Sequence, residues 1–387
     1  MRFSVDAHSV GCHLTGNEVY IRNLLNEFAK LDRSSQFIAY VSKPDAESRL
    51  PAGVAMRWVS ENPYRRLGLD LPLRLREDRP DLLHVQYTGP LFSRVPLVVS
   101  VHDVSFLEHP QYFTRFRAAQ LKMTVRKTVE RAAAVLTPSE FSRAAILRHY
   151  GLDEHKVVVV HNAVASEFRP IDRHTAQASV ERKFGIPGPF VLTVGDLQPR
   201  KNQLGLLQAF EEVVRAHPHL THRLVFVGKE TWSSKDLHRA VQHSGIAGRV
   251  HFTGFVEDAD LVEFYGACDL FVFPSFYEGF GLPILEAMAC GRAVASSNTT
   301  AMPEVADAAG ILFDPGSTEE MARAIRDVLL NPELRARLER MGSHRASLFS
   351  WERAAERTLE VYARVAGGKK RAMKAAARTQ ATGSPRV

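Results

Sequence analysis

Eleven short apolar runs separated by helical stretches constrain this chain more than any other feature of it. F-S-V-D-A, F-I-A-Y-V, L-L-H-V-Q, L-V-V-S-V, A-V-L-T and V-V-V-V form one series, and F-V-L-T-V, L-V-F-V-G, V-H-F-T, L-F-V-F and A-V-A-S form a second. A strand that is apolar along its whole length needs both faces covered, as in a parallel sheet sandwiched between helices. Two such series predict two doubly wound α/β domains. At 387 residues and 45% hydrophobic content the chain can bury two cores of ordinary size. The expected organisation is a Rossmann-like domain over 1–168, a polar linker over 169–189 interrupted by Pro170, Pro187 and Pro189, and a second Rossmann-like domain over 190–349. A helix over 350–366 follows, with Trp351, Ala355, Leu359 and Tyr362 at helical spacing, and then a tail over 367–387.

The formal net charge of +7 suggests nucleic acid until it is located. Lys369, Lys370, Arg371, Lys374, Arg378 and Arg386 crowd the tail with no acid among them, so the body is close to neutral and no nucleic-acid partner is expected. The tail's composition predicts disorder, and attraction to an anionic membrane surface is its functional reading. Cys12, Cys268 and Cys290 make neither a disulfide framework nor a metal-binding pair, which suits a reducing compartment. With no signal-peptide core and no long apolar stretch, a cytoplasmic protein is expected, peripheral to the membrane at most through the tail.

The densest chemistry lies in residues 273–304, F-P-S-F-Y-E-G-F-G-L-P-I-L-E-A-M-A-C-G-R-A-V-A-S-S-N-T-T-A-M-P-E. Pro283 suits a first helical position and Gly291 a left-handed stop, giving a short helix over 283–290. Gly279 and Gly281 let backbone approach a ligand just before the helix start, where unpaired amides donate to anions or hydroxyls. Glu278 precedes the turn and Glu286 is expected in the first helical turn. Carboxylates accept well from hydroxyl groups, so a ligand carrying both phosphates and hydroxyls fits. Upstream, the strand over 190–194 runs into G-D-L-Q-P-R-K-N, setting Arg200 and Lys201 at a strand's carboxyl end, with Asn202 as the expected helix cap.

E-x7-E around G-F-G-L-P, followed by E-A-M-A-C-G and S-N-x4-P-E, resembles the donor-site signature of retaining glycosyltransferases of family 4, densely over about 190–315 and more loosely from residue 1 to about residue 366. The resemblance implies the GT-B fold: two Rossmann-like domains facing a cleft, with a C-terminal helix crossing back to the first. It also implies transfer of a hexose from a nucleoside-diphosphate sugar to a hydroxyl of a glycan or lipid-linked acceptor, in surface polysaccharide or lipid-linked oligosaccharide assembly. Glu286 would hold the ribose hydroxyls, and Glu278 with the amides of Phe280, Gly281 and Leu282 the sugar. Arg200 and Lys201 would stabilise the leaving diphosphate, a role that falls to them because Asp196 stands where many relatives carry Arg. Gly16, in G-C-H-L-T-G-N, would pass beneath the phosphates, and Val256, in G-F-V, would meet the base. V-H-D-V-S-F-L resembles a segment of bacterial mannosyl- and rhamnosyltransferases in which the His, here His102, lies by the transferred sugar; this favours GDP-mannose. Asp258 and Asp260 form a D-x-D string better explained as helix capping than as a metal site, so neither metal nor cofactor is expected. The rival readings are a GT-B nucleotide-sugar epimerase or hydrolase, and a non-catalytic nucleotide-sugar-binding scaffold.

Overall fold

The computed structural model describes residues 1–12, 15–231 and 233–382, side chains excepted at Thr15 and from Lys369 onward. The chain divides into two units, Met1–Asn162 together with the segment from Trp351, and Ala163–Ser350.

In the first unit seven parallel strands lie in the order β3-β2-β1-β4-β5-β6-β7: β1 (Arg2–Asp6), β2 (Gln36–Val41), β3 (Val54–Trp58), β4 (Leu82–Gln86), β5 (Leu97–Ser100), β6 (Ala134–Thr137) and β7 (Val157–Val159). In the second unit six parallel strands lie in the order β10-β9-β8-β11-β12-β13: β8 (Phe190–Val194), β9 (Arg223–Val227), β10 (Val250–Gly254), β11 (Leu270–Phe273), β12 (Val294–Ser297) and β13 (Ile311–Phe313). Each order turns back once, between β1 and β4 and between β8 and β11. Loops leaving the carboxyl ends of two such strands diverge and open a crevice. The fully buried Leu270–Phe273 strand and the Val191–Leu192 stretch of β8 show why these runs are apolar without alternation.

All eleven expected runs coincide with or overlap a strand, and β3 and β13 are the two that sequence reading passed over. Both lie at sheet edges, where one side has no neighbour and the apolar pattern is diluted: β3 reads V-A-M-R-W with Trp58 exposed, and β13 has only three residues.

The expected linker over 169–189 is corrected in part. Arg173–Phe184 is a helix, capped by Asp172 Oδ1 accepting from Thr175 N at 2.9 Å and stopped by left-handed Gly185. It packs on the Asp258–Ala267 helix, with the Phe184 and Phe264 rings 4.8 Å apart. The prolines bracket this helix, and the units divide earlier, at Asn162–Ala163.

The C-terminal helix, Trp351–Thr382, belongs to the first unit and continues past the expected end at residue 366. Its Tyr362 ring packs against Phe3 and Phe28, at 5.1 and 5.5 Å between centroids. The Tyr362 hydroxyl pairs with His84 Nδ1 at 2.6 Å, His84 Nε2 with Ser100 Oγ at 2.7 Å, and Ser100 Oγ with the Tyr20 hydroxyl at 2.8 Å. Burial holds His84 neutral, its pKa pushed down to about 3. The tail over 367–387, read as disordered, continues the helix as far as Thr382, while its side chains from Lys369 on and residues 383–387 lie outside the described residues.

Tyr362→Phe keeps the ring packing and strips His84 Nδ1 of its partner. The expected loss is roughly 1–3 kcal/mol of stability, read by denaturant unfolding.

Candidate active site

In the second unit, β8 and β11 deliver the charged groups. β8 ends at Val194, and a short turn of helix, Pro199–Lys201, carries Arg200 and Lys201. β11 ends at Phe273, five residues before Glu278. The two loops are joined: Phe276 N donates to Arg200 O at 2.9 Å, and the Arg200 guanidinium donates to Tyr277 O. Between them the Glu278 carboxylate sits 2.8 Å from Arg200 Nη1 and 2.7 Å from Lys201 Nζ, all three side chains being less than a fifth exposed. Lys201 Nζ also stands 4.9 Å over the Phe273 ring. Burial alone would raise the Glu278 pKa, but the two cations override it and hold it at about 2. Burial lowers that of Lys201 against the pull of Glu278. This is a charged cluster in which each member needs the others.

Two glycines make room for it. Gly195 lies at φ +144, and a Cβ there would fall 3.1 Å from the Lys201 Cε. At Gly228, φ +154, a Cβ would fall 2.2 Å from the Gly195 carbonyl oxygen, a contact no side chain permits.

The helix after the glycine turn spans Leu282–Ala289, starting one residue before Pro283 and ending one before Cys290. Gly281 caps it at φ +109, and Gly291, at φ +72, makes the expected left-handed stop. Glu286 is therefore its fifth residue, beyond the first turn. Its buried Oε2 accepts from the Tyr265 hydroxyl at 2.8 Å, and burial pushes its pKa up to about 7. Tyr265 was not among the residues read from sequence, nor was Thr300, whose Oγ1 accepts from Glu278 N at 3.1 Å. Gly279 and Phe280 are buried, Phe280 edge-on to Phe349, and Leu282 is half-buried.

Three local expectations change. Asn202 does not cap the following Gln203–Ala216 helix through its side chain: its backbone is left-handed, φ +54, whereas capping needs extended backbone, and its Nδ2 donates to Pro315 O at 2.8 Å. Asp258 and Asp260 lie inside the first turn of the Asp258–Ala267 helix, whose cap position is Glu257, and Asp260 pairs with Lys183 at 2.8 Å. The Val256 side chain is buried in the core, so the exposed apolar group in that turn is Phe255, with Lys229 Nζ 4.7 Å over its ring.

In the first unit, Gln86 at the end of β4 joins the two sequence-derived candidates. Its Oε1 accepts from His102 Nε2 at 2.9 Å, and its Nε2 donates to the carbonyl of Asn17, the residue after Gly16, at 3.2 Å. Gly16 is exposed in the first turn of the Thr15–Leu31 helix, with open space where a Cβ would be. His102 lies edge-on to Tyr20, with centroids 4.7 Å apart, and burial pushes its pKa down to about 4, so it is a neutral hydrogen-bonding group. Asp6 ends β1 with Arg66 Nε at 3.4 Å and His8 Nδ1 at 3.0 Å. The sequence signal for this group was a carboxylate closing an apolar strand.

The family model "Glycosyl transferases group 1" matches residues 178–345, and "Glycosyltransferase Family 4" matches 14–168. The O-antigen chain mannosyltransferase B of Escherichia coli is 33% identical over 282 residues, 71% of this chain and 73% of that protein. The serotype-specific mannosyltransferase WbdA of Escherichia coli is 29% identical over 270 residues, 68% of this chain but only 33% of its own length. The crystal structure of Anabaena HepE in complex with UDP-glucose superposes with a TM-score of 0.75 at 20% identity, covering 93% of this chain and 98% of that one. The chain belongs to the group 1 glycosyl transferases, with a family 4 N-terminal part, and its fold is GT-B. It is a glycosyltransferase whose relatives include an O-antigen chain mannosyltransferase and a serotype-specific mannosyltransferase. No helix among the described residues is long and apolar enough to cross a membrane.

Because the Glu286 pKa is raised from 4.5 to about 7, ionising it opposes folding: the cost is absent below pH 4.5 and complete above about 7. Glu286→Gln keeps an acceptor for Tyr265, so it should stabilise the protein by roughly 2–3 kcal/mol at pH 8 and not at pH 4 in paired thermal melts.

Proposed function

We propose that the protein is a retaining, metal-independent hexosyltransferase that moves mannose from GDP-mannose to a hydroxyl of a glycan or lipid-linked acceptor in surface polysaccharide assembly. The observation that carries this reading is the Glu278 carboxylate held between Arg200 and Lys201 at the carboxyl ends of β8 and β11. The diphosphate of an incoming donor competes for the same two cations. Once displaced, Glu278 is free to accept from sugar hydroxyls, aided by the amides of Gly281 and Leu282. Glu286, in its ionised form, accepts from the ribose hydroxyls. His102, neutral and oriented by Gln86, hydrogen-bonds the transferred sugar.

In the transfer step the bond from the anomeric carbon to the diphosphate oxygen breaks and a bond to the acceptor oxygen forms on the same face. The acceptor's proton passes to the leaving diphosphate, and a nucleoside diphosphate departs. Negative charge grows on that diphosphate, where Arg200 and Lys201 stabilise it more in the transition state than in the ground state. Mannose as the sugar is supported by the two mannosyltransferase relatives, and GDP as its carrier rests on the V-H-D-V-S-F-L resemblance.

Glu278→Gln should lower turnover by at least about a hundredfold while nucleoside-diphosphate affinity holds or rises, since the competing anion is gone. Lys201→Ala should lower both. Calorimetric titration beside initial rates separates the two, and undiminished turnover in either variant sinks the assignment. A thermal-shift panel of GDP, UDP and dTDP and their sugar conjugates, with and without EDTA, tests the donor: a shift with GDP-mannose that survives EDTA is expected.

Affinity for the intact nucleotide sugar should fall as pH drops below about 7, as Glu286 takes up its proton. In Glu286→Gln that pH dependence should vanish.

A further inference from the structure

The helical segment over 63–78, between β3 and β4, is wound in three pieces: Pro63–Arg65 and Leu71–Asp78 as α-helix, with a π-helical turn, Arg66–Asp70, between them. Pro72 has no N–H to offer the carbonyl four residues back, and the ladder widens there, with Leu71 N donating to Arg66 O. Such turns are rare and gather at functional sites. This one supplies a charged residue from each of its ends to the carboxyl side of the first sheet. Arg66, 7% exposed, brings its Nε to 3.4 Å from Asp6 at the end of β1, yet that Nε has no hydrogen-bond partner among the described residues. Asp70 Oδ2 accepts from Ser60 N at 2.7 Å, just past β3, and its Oδ1 lies 3.4 Å from Arg65 Nε. Beside it opens a cavity of about 470 Å³ lined by Trp58, Leu73, Arg65, Asp70, Arg74 and Glu77, with Trp58 46% exposed. The charges come in pairs: Asp6 with Arg66, Lys43 with Glu61 at 2.7 Å, Asp70 with Arg65, and Glu77 with Arg74 at 2.8 Å.

We infer that this region is a distal subsite for the acceptor, holding neutral sugar units of a glycan chain away from the point of transfer; the inference rests on the proposed reading that the acceptor is a glycan. Paired charges leave no net field to attract a phosphate-rich ligand. Carboxylates and guanidiniums side by side instead accept from and donate to neighbouring hydroxyls of one sugar. An indole beside them offers an apolar surface to the C–H face of a pyranose ring. The sheet order gives the subsite its reach. Neighbouring strands lie about 4.8 Å apart, close to the length of one pyranose unit, so the row β5-β4-β1-β2-β3 from His102 to Trp58 spans about four sugar units. Asp6, His8 and Arg66 stand midway along it, at the end of β1.

Titration calorimetry of the full chain with α-linked mannose oligosaccharides, from the disaccharide to the hexasaccharide and without donor, tests it. Affinity should rise with length as far as the tetrasaccharide or pentasaccharide and then level off. Trp58→Ala and Asp70→Asn should each weaken pentasaccharide binding by about tenfold and leave the disaccharide unaffected. In initial rates they should raise KM for the pentasaccharide by a similar factor and change kcat little, because a remote contact is equal in ground and transition states. Binding of GDP-mannose is read separately: length-dependent oligosaccharide binding in a protein that ignores GDP-mannose would sink the proposed donor and support the subsite. Thermal melts check folding, and Arg74→Gln reads the same cavity if Trp58→Ala melts early. No binding at any length, affinity independent of length, or undiminished pentasaccharide binding in the variants overturns the inference.

Discussion

The pairing of Glu278 with both Arg200 and Lys201 is the constraint on which the second unit's chemistry depends. Three charges in so enclosed a place persist only because each compensates the others, and removing one leaves an uncompensated charge that costs several kcal/mol. The pair of cations comes from one loop and the carboxylate from another, so the cluster also fixes the distance between the carboxyl ends of β8 and β11. The hydrogen bonds around Tyr277 serve the same registration, and the close approach of Gly195 and Gly228 fixes the loop after β8 against that after β9. On the proposed function, the cations would be held in place for the donor diphosphate before it arrives, with Glu278 as the group it displaces.

Glu286 shows the opposite logic a few residues away. Among the described residues its carboxyl makes no ion pair: the Tyr265 hydroxyl donates to it, and burial, with Asp258 and Glu167, outweighs the pull of Lys201 and makes its ionised form unfavourable. Two acids of one short motif therefore differ in pKa by about five units, one held near 2 and the other near 7. Such separation of like groups by environment is common where chemistry is done. Stability is spent at Glu286 and recovered elsewhere in the apolar core around the Leu282–Ala289 helix.

Much of this was legible in the chain. Continuous apolar runs gave away buried parallel strands, and the spacing of Arg200, Lys201 and the E-x7-E acids marked the cluster, because loops at strand ends are where a doubly wound sheet binds ligands. Two of the four edge strands escaped notice, β3 because its apolar pattern is diluted by Arg57 and exposed Trp58 and β13 because it has only three residues. Asn202 misled because its type suits a cap while its backbone, set by the packing of the Pro315 loop, is left-handed. Tyr265 and Thr300 could not be found, because a hydroxyl that meets a carboxylate across a fold leaves no local signature.

The sequence by itself determined the two α/β units, the helix that returns to the first of them, and the identity of the charged residues, since periodicity and residue type are local properties. The tertiary structure alone decided which charges meet, which acid is ionised and which hydroxyl orients it. Those depend on distances between residues far apart in the chain and on how far each is removed from water, and neither quantity is written in the order of the residues.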